Sequence, residues 1–184
     1  MRTVAFTSRF SLAVILFATA AVAADQPKPD PYQPIRFLLG EWSGTAEGQG
    51  GKGTVRRSYS LILKDRYIQE KNVSTYPPQE ANKTGEIHEH WSIFSYDRER
   101  KLIVLRQFHQ EGFVNEYVLN ASASTPTKLV FDSEHFENFD NSWRARETYD
   151  IISPDEFVET FALGAPGKEL EVYSRNHFNR TRSE

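Results

Sequence analysis

Beyond Gly40 the apolar residues fall into short runs in which Val, Ile, Tyr, Phe, Trp and Thr alternate with polar neighbours, each run bounded by Gly, Pro, Asp or Asn. Side chains on a strand point to opposite faces with a period of two, so this texture predicts half-buried strands rather than helices. Ten segments carry it: residues 41–47, 54–63, 67–75, 86–96, 101–109, 113–120, 128–136, 143–152, 156–163 and 168–180. Their connections, such as Lys64-Asp65-Arg66, Gln110-Glu111-Gly112 and Ser153-Pro154-Asp155, have hairpin length. Consecutive strands joined this way make an antiparallel meander, and a ten-stranded meander with no helix to cover it either closes on itself or leaves two unpaired edges. Closure predicts an all-β, up-and-down barrel with room inside for one small ligand.

Ahead of the strands, Ile35-Arg36-Phe37-Leu38-Leu39 gives one or two apolar turns stopped by Gly40, the sequence of a short helix that plugs one end. Residues 24–34 contain four prolines and read as an extended lead-in that the fold does not need. Residues 1–23 run from a basic start, Arg2 and Arg9, through an apolar stretch to Ala21-Val22-Ala23, the pattern of a cleaved signal peptide. The stretch is shorter than the roughly 20 apolar residues a bilayer span needs. The reading is therefore a signal peptide over 1–23 and one barrel domain over 35–184, exported to the periplasm or secreted, with no stable membrane anchor.

Composition narrows the partners. The net charge is -3 and the charges of both signs are interleaved, so no basic stripe is available for a nucleic-acid backbone. The absence of cysteine excludes disulfides, lipoprotein attachment and covalent haem. No nucleophile elbow, phosphate loop or dinucleotide fingerprint is present, and Gly48-Gln49-Gly50-Gly51-Lys52-Gly53 reads as a hairpin tip.

The stretch Phe37-Leu38-Leu39-Gly40-Glu41-Trp42-Ser43-Gly44-Thr45-Ala46-Glu47-Gly48 resembles the opening of the nitrobindin-like haem-binding barrels and, more widely, of the calycin group that includes lipocalins and fatty-acid-binding proteins. The resemblance implies a Trp42 that seals the closed end and glycines, Gly44 and Gly48, that let the first strand bend. It also implies a haem-ligating histidine near the C-terminus, for which His177 is the candidate, and, from the fatty-acid-binding side, a Tyr and Arg grip on a carboxylate.

The residues themselves offer further chemistry. In His88-Glu89-His90 two imidazoles share a strand face, and His109 on the next strand offers a third ligand, a set suited to Zn or Fe. The competing and favoured assignment puts His88 and His90 in solvent, with Ile87, Trp91 and Ile93 toward the core. Tyr173, Arg175 and His177 alternate onto one face, and Arg106 lies in an otherwise apolar strand, where burial would demand an anionic partner. For Arg175 the competing place is outside, paired with Glu147 or Glu159. Glu147 and Glu159 are the odd members of apolar faces, expected to meet Arg106 or water inside. The expected function is small-molecule binding without catalysis, using Arg106, Glu147, Glu159, Tyr173 and Arg175 on a hydrophobic or amphipathic ligand. The alternatives are a haem protein with His177 on iron, reacting with nitric oxide or peroxynitrite, and a metal-dependent enzyme built on His88, His90 and His109.

Overall fold

A computed structural model describes residues 29–80 and 82–181. The expected signal peptide over 1–23 and the lead-in up to residue 28 lie outside the described residues. A 3-10 helix (Gln33–Leu38) precedes ten strands: β1 (Gly40–Gly48), β2 (Gly51–Ile62), β3 (Tyr67–Tyr76), β4 (Glu86–Asp97), β5 (Leu102–His109), β6 (Val114–Leu119), β7 (Lys128–Glu137), β8 (Arg144–Ser153), β9 (Glu156–Gly164) and β10 (Glu171–Arg180). Every strand pairs antiparallel with its chain neighbours, and β1 pairs with β10 to close the barrel. The expected all-β up-and-down barrel with a short N-terminal helix is what forms, and it has no free edge to protect. Among the described residues no helix is long and apolar enough to cross a membrane.

The closing seam runs from Trp42 opposite Arg180 to Gly48 opposite Ser174. Gly44 makes it possible: a Cβ there would sit 1.7 Å from the His177 carbonyl oxygen, so only glycine lets β10 approach this closely.

The closed end is packed. Ile35 and Leu38 of the helix join Trp42, Tyr59, Ile68, Phe94, Leu105, Phe131, Tyr149, Phe157 and Phe178 in one buried cluster. Each such side chain contributes about 1.5–3 kcal/mol on burial. Trp42 lies edge-on to Phe157 at 4.7 Å and donates its indole N–H to the Leu38 carbonyl at 2.6 Å, which ties the helix to the barrel. The lead-in is less dispensable than its prolines imply: Tyr32 is buried and its hydroxyl donates to the Arg66 carbonyl at 2.6 Å. The helix also starts at Gln33 rather than Ile35, because Pro34 fits the first turn, where no N–H is required.

Candidate functional site

Above the packed half the barrel is hollow. A cavity of about 500 Å³ opens at the end opposite the helix, within the roughly 300–1,000 Å³ typical of small-molecule sites. Phe113, Phe136, Phe139, Phe161 and Leu163 supply its apolar wall and lip, with Tyr173 at the mouth. The lip is a chain of ring contacts, Phe139 meeting Phe113 at 6.2 Å, Phe136 at 5.7 Å and Trp143 at 5.7 Å.

The cavity floor is charged. Arg57, inward on β2 in step with Val55 and Tyr59, donates Nη1 to Glu159 Oε1 at 2.5 Å and Nη2 to Glu159 Oε2 at 2.8 Å. Its Nε reaches Asn72 Oδ1 at 3.0 Å and Glu70 Oε1 at 3.1 Å, and its guanidinium lies 4.5 Å over the Phe178 ring. Asn176 adds a donor to Glu159 Oε2 at 2.9 Å. Burial works against the Arg57 charge, but the carboxylates of Glu159 and Glu70 outweigh it and hold its pKa well above the ordinary value. Burial likewise opposes ionisation of Glu70, and the Arg57 charge and the His90 hydrogen bond more than offset it, leaving its pKa lowered.

Glu147 differs. Burial, reinforced by the nearby Glu159 charge, raises its pKa well above the usual carboxylate range. Gln107 donates to its Oε1 at 3.4 Å, and Oε2 has no partner among the described residues. The floor thus sets one guanidinium among three carboxyl groups, one of them inclined to keep its proton.

One wall carries three histidines. His88 and His90 on β4 and His109 on β5 all line the cavity, with ring centroids 5.7, 5.7 and 5.2 Å apart. The register explains the meeting: His90 stands directly opposite His109 across the ladder, and His88 is two residues along the same face. His109 stacks on Phe113 at 4.3 Å. Its burial, with His90 and His88 beside it, lowers its pKa to about 3, so the ring is neutral at physiological pH.

A scan against protein-family models matches none, and no curated protein matches either. Among solved structures, the crystal structure of Rv2717c from M. tuberculosis is similar, with a TM-score of 0.61 at 14% identity over 84% of this chain and 99% of that one. A likeness at that identity concerns the fold. The two chains share the barrel fold, and the site has to be read from its own residues.

Of the residues singled out from sequence, Glu147 and Glu159 are inside, and His88, His90 and His109 come together. The solvent assignment of His88 and His90 is corrected: Ile87 and Trp91 are the exposed residues, 61% and 52% accessible, and Lys71 caps the Trp91 ring from outside at 4.9 Å. Arg106 points outward, paired with Glu116 at 2.6 Å and with the Ser95 hydroxyl at 3.2 Å, so Glu159 meets Arg57 instead, and Glu147 has Gln107. Arg175 is also outside, yet it has neither carboxylate as partner, since both are interior. A register shift between Val172 and Ser174 breaks the alternation expected for the last strand. Ser174, Asn176 and Phe178 consequently turn inward, and Tyr173 reaches the mouth beside Phe161 at 5.6 Å.

His177 is exposed and hydrogen-bonds Glu156 at 2.7 Å on the outer face. An axial ligand must project into the cavity, so the residue that the resemblance assigns to haem iron does not fit that role. The Tyr and Arg grip on a carboxylate also fails, because Arg106 and Arg175 face solvent and Arg57 is already held by two carboxylates. Sequence reading passed over Arg57 and Glu70. The signal for Arg57 was its parity with Val55 and Tyr59; Glu70 had only Ile68 to mark its face.

Proposed function

We propose that this protein binds a small amphipathic molecule inside its barrel, without catalysing a reaction on it. The observation that carries the reading is the half-filled interior, in which a cavity of about 500 Å³ has an aromatic wall and a buried, hydrogen-bonding floor. The apolar body of the ligand lies against Phe113, Phe136, Phe139 and Phe161, where removal from water drives binding. Its polar end rests on the floor. With one guanidinium among three carboxyl groups, the floor favours a ligand that donates hydrogen bonds or carries positive charge over a fatty-acid carboxylate. The leader-like residues 1–23 support work outside the cytoplasm.

A neutral solvatochromic dye such as Nile red tests the reading. Wild-type protein is expected to bind one equivalent with a blue-shifted emission, and Ser174→Trp, which fills the cavity from β10, to lose at least tenfold in affinity. Equal dye binding by the two proteins, or none by either, overturns it.

A further inference from the structure

Each of the three cavity histidines spends one ring nitrogen on a neighbour outside the trio. His88 Nδ1 hydrogen-bonds Glu111 Oε1 at 3.1 Å, His90 Nε2 hydrogen-bonds Glu70 Oε1 at 3.0 Å, and His109 Nε2 contacts the Asn115 side-chain amide at 3.3 Å. That leaves one nitrogen on each ring. Nδ1 of His90 and Nδ1 of His109 are buried without a hydrogen-bond partner among the described residues. A buried, unpaired ring nitrogen is costly, and two of them side by side call for a common partner. One ligand nitrogen from each of the three rings falls within 4.8 Å of one from each of the others.

From this geometry we infer that His88, His90 and His109 form a three-histidine site for a divalent transition metal, with Zn(II) or Co(II) as the class of ion. Imidazole nitrogens suit these ions, and three protein nitrogens with one open position is the arrangement of a metal that takes a further ligand. A tetrahedral site with bonds of 2.0–2.1 Å sets its nitrogens about 3.3 Å apart, so the rings need only small side-chain rotations to close on the ion. The outer partners are those a metal site requires. Carboxylates on His88 and His90 orient the rings and raise their basicity, and Glu70 is fixed in turn by Arg57. The strand pairing of His90 with His109 holds two ligands on rigid backbone.

The inference deepens the reading above: all three rings line the cavity, so the ion's open position faces the space where the ligand lies and serves as an anchor for its polar end. Glu86 and Glu111, clustered with His88 at the mouth, place negative charge on the path by which a cation enters.

Titration of untagged, full-length, metal-stripped protein with Co(II) at neutral pH tests it. The expected result is one equivalent bound, with the visible absorption of a four- or five-coordinate ion, displaced by Zn(II). His88→Ala, His90→Ala and His109→Ala each weaken binding at least tenfold and together abolish it; His177→Ala, outside the barrel, leaves it unchanged. Substoichiometric binding, or binding that survives the triple substitution, overturns the inference. Should the variants misfold, X-ray absorption at the zinc edge of wild-type protein decides: three imidazole nitrogens at about 2.0–2.1 Å uphold the site, and fewer than three overturn it. Nile red binding separates the two readings, because a cavity without a metal still binds the dye and a metal site without a usable cavity does not.

Discussion

Arg57 and Glu159 lie 102 positions apart in sequence and meet as a two-pronged ion pair, at 2.5 and 2.8 Å, in the middle of the barrel. They come from β2 and β9, which are not neighbours in the sheet, so the pair spans the interior and fixes the boundary between packed core and cavity.

Removing the cation strands two buried carboxylates. Arg57→Met is expected to lower the unfolding free energy by about 3–5 kcal/mol. Arg57→Met combined with Glu159→Gln and Glu70→Gln should recover much of that loss. Urea unfolding measures both, and a single variant within about 0.5 kcal/mol of wild type, the range of ordinary surface changes, contradicts the assignment.

The barrel itself was legible because short alternating runs with turn residues between them describe strands wherever one face is packed and the other wet. The same rule misled at the site. In the hollow half of β4 the interior positions are His88, His90 and Ser92, whereas Ile87 and Trp91 are outside, so the alternation pointed the wrong way. His88 and His90 each find a carboxylate partner inside, Glu111 and Glu70, contributed by other parts of the chain and invisible in the local pattern. The error over Arg106 has the same root. It is surrounded by apolar residues in sequence but neutralised on the outer face by Glu116, and the interior arginine sits instead in the polar-looking Arg56-Arg57-Ser58.

Glu147 predicts a pH dependence. Below its ordinary pKa of 4.5 the carboxyl is protonated in both the folded and unfolded chain and contributes no slope. Above 4.5 the unfolded chain ionises while burial and the Glu159 charge keep the folded one protonated, so this residue lowers stability as pH rises toward its elevated folded pKa. The slope reaches at most about 1.4 kcal/mol per pH unit. Glu147→Gln is therefore expected to be more stable than wild type at pH 7, with the difference vanishing near pH 4. A pH-independent difference in chemical denaturation contradicts this.

Gly44 predicts the weak point of closure. Gly44→Ala places a methyl group against the His177 carbonyl, where a Cβ has 1.7 Å of room, and so pushes β1 from β10. The expected cost is at least about 1–3 kcal/mol, with hydrogen-exchange protection lost first at amides of the β1–β10 seam. Uniform loss of protection around the barrel would show that the seam is not the site of strain.

The central claim, that the hollow half of the barrel holds a small molecule, is tested most directly by native mass spectrometry of untagged full-length protein taken from the cells that make it. The account predicts a discrete mass increment on the folded chain that disappears in Ser174→Trp, with a separate, metal-sized increment that depends on His88, His90 and His109. A spectrum of folded wild-type protein at the bare polypeptide mass, unchanged after incubation with cell extract, would contradict it.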